Sequence, residues 1–177
     1  HEAGHAVVSY FSPYLDIVHR ISIVSRGMAL GYTLSPPEKD RLHETKSHLI
    51  DEIAMTMGGR AAEEIIFHEQ TSGAANDIDQ ATRIARYMVT EFGMSELGPI
   101  NFGPQMDATE WGKQFMDQPQ ISQDMQGKID TEVQKFITTG YKKALEVLKK
   151  HRKELDKIAA VLVKKETIES DEFEALM

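Results

Sequence analysis

Apolar positions recur at helical spacing along most of the chain. His1 to Phe11 carries a continuous apolar face and is stopped by Ser12-Pro13. Asp16 to Ser25 instead alternates around Ile17, His19, Ile21 and Ile23, which predicts a strand, and Met28 to Leu34 predicts a second short one. A polar loop follows at Ser35 to Arg41. Helical patterning returns over Glu44 to Phe67, with Gly58-Gly59 inside it. It returns again over Gly73 to Phe92, where Ile78, Ala81, Ala85, Met88 and Phe92 form a stripe and Gly93 is placed to cap the C-terminus. Leu97 to Pro119, rich in Gly, Pro and Gln, reads as loop. Ser122 to Lys149 is a long helix with Ile129, Val133, Phe136, Ala144 and Leu148 on one side, and Glu154–Lys165 and Ser170–Met177 close the chain as helices. No internal repeat or low-complexity tract interrupts this order. The expected fold is mainly α with a small N-terminal β-sheet.

Composition narrows the function classes. The 177 residues hold 20 Lys plus Arg against 28 Asp plus Glu, a net charge of −8. Phosphate contacts need a basic surface, so nucleic acid is excluded as an expected partner. There is no Cys, which removes thiolate nucleophiles, Cys-based zinc fingers and iron–sulfur clusters. The longest uncharged stretch, Ala3 to Leu15, falls short of the ~20 residues a bilayer span needs. The chain begins with His, and it is expected to be a piece of a longer protein.

The chemistry starts at His1-Glu2-Ala3-Gly4-His5. Residues four apart lie one above the other on a helix, so two imidazoles can share one metal ion. Glu2 stands beside them as a candidate general base. This is the HExxH arrangement of zinc hydrolases, in which water attacks a carbonyl and the Glu takes its proton. Gly4 adds a clue, because Gly inside a helix costs about 1 kcal/mol relative to Ala and close packing near the metal must favour it. The flanking Ala6-Val7-Val8 places the motif on an apolar, buried helix.

A catalytic zinc needs a third protein ligand and an open position. Val8 and Phe11 do not fit the metzincin pattern, which needs Gly and His there. Two candidates remain: the pair Glu63 and Glu64 on an otherwise apolar helix, and Asp77 near a helix start. Spacing alone does not choose between them. An acid near a helix N-terminus also complements the macrodipole without any metal.

Taken together, these stretches resemble the peptidase domain of the FtsH family, the membrane-anchored AAA+ zinc proteases. The resemblance rests on His1–Ala6, Ala29–Thr33, Gly58–Ile65, Thr71–Ile78, Met88–Ser95 and Lys165–Glu169, in order over essentially the whole chain. It implies a helical zincin-type metallopeptidase domain over 1–177. Residues 1–95 would carry the zinc site and substrate strand, 96–120 a loop, and 121–177 the C-terminal helical part. It implies one Zn2+ held by His1, His5 and Asp77, with Glu2 as base and Glu63 orienting a zinc-bound His. It further implies an upstream AAA+ domain that uses ATP, a homohexamer, and unfolded or membrane proteins as substrates. The peptidase domain would face the cytoplasm beneath a bacterial inner membrane, with an organelle inner membrane as alternative. Two departures concern the rim: Ser95–Gly98 is one residue shorter than the family loop, and Gln105–Gln126 matches poorly, with Phe115-Met116-Asp117 replacing a Phe-Leu-Gly turn.

Two further readings follow from the residues. Ala29, Leu30, Gly31, Tyr32 and Thr33 are expected to form an edge strand near the zinc that pairs with an extended substrate, Gly31 leaving room for a close backbone approach. The long C-terminal helices are expected to expose apolar surface for self-association. A non-catalytic assembly module with a structural zinc is the rival class. Glu2 argues against it, since a closed structural site needs no base.

Overall fold

The structure, a computed structural model, describes residues 1–24, 31–36, 43–103 and 121–177. It contains seven helices among the described residues. They are α1 (Glu2–Tyr10), α2 (Lys46–Thr56), α3 (Gly58–Phe67), α4 (Ala75–Thr90), α5 (Gln123–Lys150), α6 (Arg152–Lys165) and α7 (Ser170–Leu176). A 3-10 turn, Ser72–Ala74, leads into α4. Three short strands, β1 (Arg20–Ser22), β2 (Tyr32–Leu34) and β3 (Thr167–Glu169), form one antiparallel sheet in the order β2-β1-β3. The molecule is mostly helical, as expected. No helix among the described residues is long and apolar enough to cross a membrane.

The sheet is not purely N-terminal. β3 comes from the other end of the chain and pairs with β1, placing Ile21 opposite Ile168, both fully buried. Three residues are too few to display a strand period, so the local pattern carries no trace of β3. Glu166, in the left-handed region at φ 63°, ends α6 and turns the chain into it.

The apolar residues form two clusters. One gathers α1, α3, α6, α7 and the sheet around Val7, Val8, Ile158 and Phe173. The other gathers α2 and α4 around Ile53, Ala81, Ala85 and Met88. Helix α5, 28 residues and about 42 Å long, spans both. Its Ile129, Val133 and Phe136 enter the second cluster, and its Ala144 and Leu148 enter the first. Ser122 caps its start, Oγ accepting from the Met125 amide at 3.3 Å.

Three expectations change here. The segment 44–67 holds two helices, broken at Met57, and Gly58 after the break packs on α1, where a Cβ would fall 2.8 Å from the Gly4 carbonyl oxygen. Ile78 on α4 and Phe92, two residues past its end, are not core: they are 38% and 51% exposed, while Ala81, Ala85 and Met88 between them are buried. Finally, every apolar position singled out on α5 is buried within the chain, against α2 and α4 in one cluster and against α1, α3 and α6 in the other. Those α5 positions therefore give no argument for self-association, while Val163 on α6 is 77% exposed. Most of the Leu97–Pro119 loop, with Phe115, Met116 and Asp117, lies outside the described residues.

The crossing of α1 over α3 explains Gly4. A Cβ there would meet the Gly58 carbonyl oxygen, and the Ala62 Cβ at 2.7 Å. Two backbones approach here with no side chain between them. Gly4→Ala should therefore destabilise the fold by about 1–3 kcal/mol despite the better helix propensity of Ala, a result that thermal unfolding would read as a lowered midpoint.

Candidate active site

Helix α1 begins at the site. Its start places His1 and His5 one turn apart, and their Nε2 atoms lie 3.1 Å from each other. Asp77, in the first turn of α4, brings Oδ2 to 3.1 Å from His1 Nε2 and 3.6 Å from His5 Nε2. Among the described residues this is the one group of three His or acidic side chains able to hold a metal ion together.

The partners on the far side of each ring decide its tautomer. His1 Nδ1 donates to Glu63 Oε1 at 2.8 Å, and His5 Nδ1 donates to the Met55 carbonyl at 2.8 Å. With Nδ1 carrying the proton, both Nε2 lone pairs aim into the same small space, where a carboxylate oxygen also points. Three acceptors facing one another repel unless a cation stands between them. The donor set, two imidazoles and a carboxylate, suits zinc. Without a metal the cluster finds its cation in a proton. The hydrogen bond to Asp77 outweighs the cost of burial, aided by Glu63, and raises the His1 pKa to about 9. Burial pushes Asp77 upward, yet the hydrogen bonds and charges of His1 and His5 prevail and hold it well below the usual carboxylate range.

Glu63 touches His1 on the side away from this cluster and is itself held. Thr71 donates to its Oε2 from the hydroxyl at 3.0 Å and from the amide at 3.4 Å. The same hydroxyl accepts from the Gly73 amide, so the turn that delivers Asp77 is tied to the carboxylate behind His1. Glu64 points elsewhere and accepts from the Tyr141 hydroxyl at 2.5 Å. Glu2 lies outside the three-residue group. The Thr33 hydroxyl reaches its Oε2 and its carbonyl oxygen, both at 3.2 Å, and a Cβ at Gly31 would sit 2.6 Å from its Oε1.

These groups line one open cleft of about 1110 Å³. Gly31, Tyr32 and Thr33 line this cleft, and among the described residues β2 is an edge of the sheet. Ala29 and Leu30 lie outside the described residues. Sequence reasoning missed the groups that hold the site: the Met55 carbonyl, Thr71, the Thr33 hydroxyl and Gly59. Only Gly59 left a signal, as half of an unusual Gly pair within a helical pattern. A Cβ at Gly59 would fall 2.6 Å from Nε2 of both His1 and His5. Gly59→Ala is expected to lower zinc affinity at least tenfold, read by metal content after dialysis, because the rings must move apart.

A helical domain with two His and an Asp converging at a cleft, and a separate Glu beside them, has the architecture of a metallopeptidase. Comparison with known proteins makes this specific. The model of peptidase family M41 matches residues 1–176. The chain is 49% identical over 179 residues to the ATP-dependent zinc metalloprotease FtsH of Thermotoga maritima, covering 100% of this chain and 29% of that protein. It is 47% identical over 178 residues to the ATP-dependent zinc metalloprotease FtsH 1 of Conexibacter woesei, covering 100% of this chain and 27% of that one. The chain belongs to the M41 family of metalloendopeptidases, as the peptidase domain of an FtsH-type protein. It spans less than a third of the length of these relatives.

Proposed function

We propose that this chain is the zinc endopeptidase domain of an ATP-dependent protease. His1, His5 and Asp77 would hold the ion, Glu2 would act as general base, and Glu63 would orient His1. The observation that carries the reading is the convergence of three acceptor atoms on one point in a cleft that also holds Glu2. Zinc bound there would supply a Lewis acid that acidifies water and polarises a carbonyl. The chain's own part is to bind, orient and move protons. Glu2 takes a proton from the attacking water and returns it to the leaving amine. The Thr33 hydroxyl fixes the position of that carboxylate. Through its Nδ1–H bond, Glu63 keeps the His1 ring aimed and its Nε2 basic. The edge of β2 pairs with an extended substrate by strand addition, which reads backbone more than sequence and suits unfolded chains.

The whole protein, in this reading, is anchored in a membrane, most simply a bacterial inner membrane, with this domain on the cytoplasmic side. An AAA+ domain of the same chain uses ATP to feed unfolded and membrane proteins to a homohexamer. The number six comes from the family alone.

The test uses the 177-residue chain with zinc. It should bind one zinc per chain and cut unfolded casein without ATP, leaving a tightly folded protein intact. A chain that binds no zinc, or that cuts nothing, overturns the peptidase reading. Sedimentation over a concentration series addresses the ring: a strict monomer that still cuts folded protein removes both the ring and the threading argument.

A further inference from the structure

The first turns of α4 line the same cleft as β2, through Asn76, Asp77 and Gln80. Asn76 and Gln80 are four residues apart and lie one above the other on the helix, with Asp77 three residues before Gln80. Asn76 is exposed and Gln80 half-buried. Among the described residues neither carboxamide has a hydrogen-bond partner, and the chemistry assigned to the site uses neither.

A carboxamide offers an N–H donor and a C=O acceptor, the complement of a peptide group. Four residues along a helix advance about 6 Å. Alternate residues of an extended chain, whose peptide groups face the same edge, are spaced about 6.6 Å apart. Strand addition to β2 satisfies only one edge of a bound peptide and leaves the other directed away from the sheet. We propose that Asn76 and Gln80 bind that second edge, so that the substrate main chain is held between the β2 backbone and two side-chain amides beside the metal ligand. The inference rests on the peptidase reading and adds to it a second, sequence-tolerant contact to the peptide backbone.

The experiment measures binding by fluorescence anisotropy, using an uncharged, non-repetitive ten-residue peptide and the zinc-loaded chain carrying Glu2→Gln. Adding Asn76→Ala and Gln80→Ala should weaken binding about tenfold, with zinc content unchanged. Two N-methylated versions of the peptide, one blocking odd and one blocking even amides, separate the two edges. Both should bind the Glu2→Gln chain more weakly than the parent peptide does. In the chain lacking both carboxamides, the penalty for one series should disappear while that for the other remains. A structural effect of the substitutions would change both series alike. Ala is the better helix former, so the variant is expected to fold. Asn76→Asp with Gln80→Glu, which keep the size and the acceptors and lose the donors, should weaken binding of the parent peptide while keeping the N-methyl penalty that the Ala pair abolishes. Unchanged binding on removal of both carboxamides, or equal N-methyl penalties with and without them, overturns the proposal. The peptidase reading fails separately, if the unmodified chain binds no zinc or cuts no peptide.

Discussion

Glu2→Gln is expected to keep its zinc and lose about 10²–10⁴-fold in peptide hydrolysis. The carboxylate lies outside the group formed by His1, His5 and Asp77, and its Oε2 is held by the Thr33 hydroxyl at 3.2 Å. Gln has nearly the same shape and can still accept from Thr33, so the cleft should persist. What it loses is the ability to take a proton. Metal content and casein cleavage, measured on the same preparations, separate the two roles. An active Glu2→Gln chain would remove the mechanism, and one that loses its zinc would make Glu2 a ligand. Wild-type turnover should fall similarly when zinc is stripped by a chelator and return when zinc is added back.

The second large effect concerns the third ligand. Asp77→Ala should abolish tight zinc binding, whereas Glu63→Ala should weaken it only about 10–100-fold. Asp77 Oδ2 lies within 3.6 Å of both Nε2 atoms, so its loss removes a charge and a donor from the metal position itself. Glu63 acts one bond further out, through Nδ1 of His1 at 2.8 Å. Without it the ring can rotate, but His1 keeps its nitrogen. The Thr71 hydroxyl, freed from Glu63, remains tied to Gly73, so the turn before α4 should survive. Equilibrium zinc titration of the two variants settles the order. Zinc retained by Asp77→Ala and lost from Glu63→Ala would exchange the assignments.

Much of this molecule was legible in its sequence, for reasons that are local. The spacing of His1 and His5 on a helix is a matter of 3.6 residues per turn. The apolar stripe on α5 repeats over 28 residues, long enough for the period to assert itself, and all five of its named positions are buried. The polar Ser122 at its start caps as such residues do. Gly4 announced close packing because its cost within a helix demands compensation, and the α1–α3 crossing supplies it.

Long-range choices belong to the tertiary structure. Asp77 and Glu63 looked equivalent as candidate ligands because each is an acid on a helix. Only the path of α3 and α4 across α1 puts one carboxylate against Nε2 and the other against Nδ1. β3 has three residues and no period, so its pairing with β1 comes from the fold that brings the two ends of the chain together. Phe92 fits the α4 stripe by spacing but stands half exposed, because α4 ends at Thr90, before the stripe reaches it; a period states which face is apolar, and only the folded chain states how far it continues. Helical period and spacing in the sequence were enough for most of the helices, the paired histidines and Glu2 beside them. Which carboxylate joins the two Nε2 atoms, left open by spacing and supplied only by resemblance, is set by the packing that brings α4 to the start of α1, because side chains distant in the chain meet only through the fold.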